Sequence, residues 1–454
     1  MNEQMQSIAA SLDTFFENNA DARREQIDAE PGFILYYIWT ITDPDFIDQQ
    51  LKMPFFRYSR EEYELHLRSI SQAGDKPEDL PGKLCKGCAV ILYGDQVYTV
   101  AKSVAYRTRS VDTPQVEASI VGPLEAFVES MAVNLNLIRK HYQSPNLRIV
   151  KFEVGTLSHI TGYMLYDSEL ADQAFVKREL QQIDNLNAKN AQAVSKVQQY
   201  LPKKRPLLFP RTVVTERPDR VSEALSKGKS AYLIETTPFA SLAPINFHDF
   251  MASMDDSYML PVYSYFLIAL RYFALFATVV LPGAYVAFTA FNPEVFRVQL
   301  ALSIAGSRAG LPYPAFLEVA FMMIMTELLV EASLRVPKTI GPAATTVGGL
   351  ILGEAASQAN LVSDIMIIVV ASVAIANFVI PINTMSLTVR VLKYVLLFLG
   401  TIAGFFGLTV GIVLLVSYLF TMHDGKYSLV QSYTAPVKFN TGRAPKSPAG
   451  GGQA

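Results

Sequence analysis

Residues 311–341, LPYPAFLEVAFMMIMTELLVEASLRVPKTIG, are apolar enough to enter a bilayer, yet they carry Glu318, Glu327, Glu331, Arg335 and Lys338. Ionisable groups at membrane depth are costly, and they mark a polar path, a buried ion pair or a subunit contact. At about 100° per residue, Glu327, Glu331 and Arg335 share one helical stripe, and Glu318 lies half a turn away from Glu327. Such a helix is no simple anchor, so the rest of the chain must supply what the stripe faces.

Residues 258–421 hold seven basic and six acidic side chains, 13 of the chain's 80 charges in more than a third of its 454 residues. Mean hydropathy over the whole chain is +0.23, high for a soluble protein. The charge split predicts an α/β two-lobed soluble N-terminal domain followed by an all-α polytopic transmembrane domain. Apolar spans are expected at 262–290, 315–333, 340–362, 364–387 and 391–421, about five in number, each able to cross a core that needs about 20 apolar residues. Residues 297–308, apolar with basic ends, read as an interfacial helix. Pro282 and Pro381 sit in spans, where they kink or end a helix. Three small-residue pairs, Gly349 with Gly353, Gly400 with Gly404 and Gly407 with Gly411, suit close helix–helix contact and oligomers. Glu354 adds a carboxylate next to one of them.

Loop charge orients the domain. Arg335, Lys338, Arg390 and Lys393 fall in loops that share a side with the N-terminal half, which the positive-inside rule places in the cytosol. Five spans would leave the tail, 422–454, on the other side. Its ending is rich in Pro, Gly and Ser and is expected to be disordered.

The N-terminal half reads as a polar helical lead-in over 1–30, lacking the basic and continuous apolar regions of a signal peptide. A first α/β lobe follows over 31–115, then a linking helix within 116–145, then a second lobe over 146–250. KGCAVILYGDQVYTVA (86–101) and KGKSAYLIETTPFASLA (227–243) share the order Lys-Gly, strand, tight turn, strand. Two lobes with a linking helix suit a ligand cleft, a hinge or a rigid docking platform. In the link, Phe127, Met131, Leu135 and Ile138 form an apolar stripe.

Enzyme motifs are lacking. Cys85 and Cys88 form one C-x-x-C without paired His ligands, and two small residues leading into a strand account for it. Gly228, Lys229 and Ser230 mimic the end of a phosphate loop, but Glu223 stands where the first Gly belongs and a strand follows instead of a helix. No catalytic residue, cofactor or metal site is expected, and a net charge of −2 argues against nucleic acid. ERPDR at 216–220 reads as a solvated helix N-terminus or a charged site.

At this point the chain resembles the A subunits of bacterial spore germinant receptors, the GerA type. The residues that carry the resemblance are Thr113, Pro114 and Glu117, then Gly122, Pro123, Ala126, Phe127, Glu129, Ser130, Asn134, Ile138 and Arg139. They continue with Ser144 to Leu147, Thr215 to Asp219, and Leu281 to Tyr285. The last are Leu311 to Pro314, Glu318, Glu327, Glu331, Ala332, Arg335, Pro337, Val347, Gly348, Gly349 and Gly353. The resemblance spans about residues 30–415. It implies a subunit of the spore inner membrane that contacts lipid and forms homo-oligomers. It also implies assembly with a permease-like B subunit and a lipoprotein C subunit into a ligand-gated ion channel that triggers germination. A related branch amplifies that signal as an accessory, and a transporter or sensor subunit is the other reading.

Site expectations follow. Glu318, Glu327 and Glu354 are candidates for a polar path through the membrane. Glu331, Arg335 and Arg271 are candidates for a coupling or ion pair, with Arg271 a possible partner of the stripe from a neighbouring span.

Overall fold

A computed structural model describes residues 3–17, 19–28, 33–71, 77–103, 113–117, 119–184, 208–337, 341–424 and 427–428. The N-terminal half contains two antiparallel sheets. In the first, β1 (Ala22–Asp28), β2 (Phe33–Ile38), β3 (Ala89–Tyr93) and β4 (Gln96–Val100) lie in sequence order. In the second, β5 (Leu147–Val154), β6 (Ile160–Asp167), β7 (Val213–Thr215), β8 (Ser230–Ile234) and β9 (Ala240–Ala243) take the order β5-β6-β8-β9-β7.

Both sheets are buried on both faces, which is why their central strands read as unbroken apolar runs. Ile34, Tyr36, Val90 and Leu92 pack under α1 (Glu3–Glu17), while Phe33, Leu35, Ala89 and Ile91 pack under α2 (Arg60–Ile70). A capping box at Ser59 and Glu62 starts α2, and α3 (Leu80–Cys85) closes the first face. The second sheet repeats the plan. Leu165, Ala231 and Leu233 face α4 (Met131–His141), whereas Met164, Tyr232 and Ile234 face α5 (Gln173–Asp184). Each fully buried Leu, Ile or Phe contributes about 1.5–3 kcal/mol.

Three local expectations change, and a fourth is not reached. The lead-in is a helix only to Glu17; β1 follows, its ARREQID sequence polar because it is an edge strand. LRIVKFEV forms β5, a second edge strand that the sequence reading did not identify. The linking helix is confined to Met131–His141, because residues 119–130 are held in extended and turn conformations by long-range bonds. The expected tail lies, beyond residue 428, outside the described residues.

The lobes meet at α4. Its Arg139 is fully buried and donates to Asp21 at 2.8 and 3.0 Å and to Asn19 at 3.1 Å. Asn136 on the same helix donates to the Thr40 carbonyl at 2.7 Å. With the Ala20 N–H on the Ile149 carbonyl, these bonds fill the seam between the lobes. Burial pushes up the thiol pKa of Cys85 beside them, and both cysteines are buried and unpaired with each other.

After α6 (Pro218–Ser226) and α7 (Phe247–Met251), the chain enters a helical half. It comprises α8 (Pro261–Ala290), α9 (Val298–Arg308), α10 (Ala315–Arg335), α11 (Gly341–Gln358), α12 (Asp364–Phe378) and α13 (Asn383–Thr421). α8 and α13 are long and apolar enough to cross a membrane.

α13 is two arms rather than the single span expected from 391–421. Ala403 (φ −126°) and Gly404 (φ +56°) leave the helical region between them. A Cβ on Gly411 would meet the Leu399 side chain at 2.8 Å, which a straight helix would hold about 18 Å away. Residues 383–402 and 405–421 are therefore antiparallel. Phe291, at the end of α8, covers the Gly404 turn, and Phe288 stacks on Phe405. At the other end Ile382, Met385 and Tyr418 pack with Phe209, Phe247 and Phe250 of the N-terminal half. Both ends of the hairpin thus lie beside the α/β domain, and its turn lies at the far end.

Candidate functional site

Two groups of charges stand out, one at the junction between the halves and one among the helices. The junction is built on ERPDR. Pro218 opens α6 at its first turn, which fixes Arg217 as the N-cap. Arg217 is not solvated as one sequence reading held: it is 1 % exposed. Its guanidinium donates to both oxygens of Asp219, at 3.1 and 2.7 Å, and to Asp255 at 3.1 Å. A strap, residues 113–117 and 119–127, covers it. Gly122 sits where a Cβ would lie 2.6 Å from the Arg217 guanidinium. The strap is held by Glu216, which accepts from the Val116 and Glu117 N–H groups, and by Asp255, which accepts from the Ile120 N–H at 2.9 Å. Glu117 in turn accepts from Thr215 at 2.9 Å and faces Arg220 at 3.4 Å.

Burial alone would raise the Asp255 carboxyl. The Ile120 N–H, Arg217 and the Ser119 hydroxyl outweigh it and hold the group below the ordinary carboxylate range. The next residue points the other way. Asp256 accepts from Arg271 of α8 at 3.0 Å, while Arg271 also donates to the Met251 carbonyl at 3.0 Å. Two adjacent carboxylates therefore grip the α/β domain on one side and the first long helix on the other. The only sequence trace of this is the Asp-Asp pair directly before the first span, and pattern reasoning passed over it.

Among the helices, the stripe divides. Arg271 does not meet it, because Asp256 takes its guanidinium. Glu331 and Arg335 pair with each other at 2.8 Å on an exposed face. Glu327 is gripped from α13 by Lys393 at 2.6 Å and Arg390 at 2.7 Å. Glu318 is 1 % exposed; it accepts from the N–H and hydroxyl of Ser363 at 2.7 and 2.5 Å, capping the start of α12. Arg308 of α9 stands 3.4 Å from its second oxygen. Glu354, on α11, is exposed and bonds only Gln358 among the contacts seen, at 3.1 Å. Lys338 lies outside the described residues.

The glycines divide in the same way. A Cβ on Gly400 would lie 3.0 Å from the Gly283 carbonyl, and one on Gly407 would run into the Leu399 carbonyl at 2.1 Å. Gly349 and Gly353 have only ordinary contacts, at 3.8 and 4.0 Å. Among the described residues no group of three His, Cys, Asp or Glu side chains is placed to hold a metal ion. The mimic of a phosphate loop is also accounted for: Lys229 pairs with Asp249 at 2.6 Å, and Ser230 opens β8.

Comparison with known proteins gives a family. The profile described as Bacillus/Clostridium GerA spore germination protein matches residues 10–443. Spore germination protein A1 of Bacillus subtilis is 29 % identical over 95 % of this chain and 90 % of its own length. Spore germination protein GerLA of Bacillus cereus is 32 % identical over 81 % of this chain and 75 % of its own. A crystal structure of the N-terminal domain of the A subunit of the Bacillus megaterium spore germinant receptor GerK3 aligns with 52 % of this chain and 92 % of that one. Identity there is 20 %, and the TM-score is 0.37.

Proposed function

The chain belongs to the GerA spore germination protein family, and we propose that it is the membrane subunit of a spore germinant receptor whose copies assemble around a path for cations. The observation that carries this reading is Glu354. It is an exposed carboxylate on α11, a helix whose Ala343, Val347, Leu350, Ile351 and Ala355 are also exposed. In hydrocarbon such a carboxylate is costly, so the face that holds it meets another copy or water. Gly349, also exposed on this helix, would meet only the Leu329 side chain at 3.8 Å if it carried a Cβ, which leaves room for a second backbone beside it.

The helical half then crosses the membrane six times. α8 leaves the α/β domain, and α10 returns, starting where Glu318 meets Ser363. α11 leaves, α12 returns, and the arms of α13 leave and return. This arrangement puts Arg335, Arg390, Lys393 and the tail on the side of the α/β domain, which the positive-inside rule makes cytosolic. Glu318 and Glu327, each paired with basic groups, hold the helices together, and Glu354 faces the path. Asp255 and Asp256 carry movement from the α/β domain into α8. Assembly with a permease-like subunit and a lipoprotein in the spore inner membrane belongs to the same reading.

The test is conductance of the purified full-length protein in planar bilayers, with an oligomer count. Cation current that falls in Glu354→Gln, with the oligomer intact, supports the reading. A non-conducting monomer, or a variant with unchanged current, overturns it.

A further inference from the structure

Between α10, α12 and the first arm of α13 lies a cavity of about 20 Å³, lined by Glu327, Thr326, Asn377, Arg390 and Lys393. By the same measure one water-sized occupant needs about 10–15 Å³, so the cavity holds a single small particle. Its charges do not cancel. Lys393 and Arg390 both bind Glu327, and Lys393 is 5 % exposed. Among the other charged groups nearby, Glu331 and Arg335 neutralise each other on the outer face. One positive charge is left over beside the cavity, where Lys393 is buried and Arg390 and Glu327 are only 16 % and 23 % exposed. A surplus charge so largely removed from water favours a counter-ion.

A second observation points into the same space. Asn377, 8 % exposed, lines the cavity, and its Oδ1 is buried without a hydrogen-bond partner. A half turn of that amide presents its N–H donors to the cavity instead. Two cationic heads, an amide and one particle's worth of room form a set that suits a small anion.

We propose that this cavity is a binding site for a halide-sized anion, held by Lys393, Arg390 and the Asn377 amide, which completes the charge balance around Glu327. The site depends on how α10, α12 and α13 pack and not on conduction, so it stands or falls separately from the channel reading.

The experiment uses full-length protein in detergent, unfolded by heat at constant ionic strength as sodium chloride replaces sodium gluconate. The midpoint is expected to rise along a saturating curve by about 2–4 °C, the shift a well-filled single site gives a domain of this size. Bromide should act as chloride does, and sulfate should not. Lys393→Gln removes the surplus charge and should abolish the response; Asn377→Leu fills the cavity with every charge kept and should do the same. Equal wild-type midpoints in chloride and gluconate would overturn the site, as would a full response in both variants. A Lys393 that serves only as a structural partner of Glu327 predicts loss of stability in every salt, with the halide response absent from wild type too.

Discussion

Two helix pairs in the same half of the molecule are built in opposite ways. α8 and α13 meet through glycine, Gly283 lying against Gly400 and Leu396, and the two arms of α13 meet where Gly407 lies against Leu399. Their ends nearest the α/β domain are gripped by it through Arg271, Asp256 and the Phe209–Phe247–Phe250 cluster. α10 and α11 touch each other at Gly348 and Leu329 but leave Leu328, Val347, Leu350 and Ile351 exposed, with Glu331 and Glu354 beside them. The first pair has used its close-contact residues inside the chain. The second keeps Gly349, Glu331 and Glu354 outside, where the proposed assembly would bring a further copy. In this account the first pair is the anchor and the second the assembling face.

The contrast can be broken hardest at the anchor. Arg217→Met leaves Asp219 and Asp255 buried without their cation, and a loss of about 3–5 kcal/mol is expected in thermal or denaturant unfolding. Gly407→Ala forces a Cβ against the Leu399 carbonyl and should cost about 1–3 kcal/mol by opening the hairpin turn. Acid acts on the same anchor. A carboxyl held below its ordinary value contributes fully above that value, here 3.8, and its contribution fades as pH falls below it towards the depressed folded value. The unfolding midpoint should therefore rise as pH climbs towards 3.8 and level off above it, with a shallower slope in Arg217→Met.

The assembling face should respond differently. Gly349→Ala meets only ordinary contacts, so the chain's own stability should hold or gain by up to about 1 kcal/mol from helix propensity. Its oligomer should nevertheless weaken on a sizing column. Smallest of all, Glu331→Gln breaks an exposed pair one turn apart and should change stability by no more than about 0.5 kcal/mol.

What the sequence made legible follows the range of the interactions. The two lobes were readable because FILYYI and AYLI are unbroken runs of aliphatic and aromatic residues, as strands covered on both faces tend to be. β1 was hidden because an edge strand needs no apolar face, and ARREQID looks like a loop. The hairpin in α13 was hidden because residues 391–421 contain no Pro or charge beyond Lys393 to mark the turn. The signal there was Gly404, which alone of its neighbours takes a positive φ. Arg217 was misjudged because the groups that bury it, Gly122 and Asp255, lie about 95 and 38 residues away. Glu327 was read as a candidate for a polar path, and the structure pairs it with two cations. The partners, Arg390 and Lys393, had been assigned to a loop, whereas helix packing brings them alongside the stripe.

The most direct test of the assembling face is cross-linking between copies in the membrane. Both native cysteines are buried, so a single new cysteine reports its own surroundings. Leu350→Cys on α11 and Phe406→Cys on the second arm of α13 are comparably exposed, at 69 % and 73 % for the native residues. The account predicts disulfide-linked dimers and higher species from position 350 and single chains from position 406. Single chains from position 350, or equal linkage at the two positions, would contradict it.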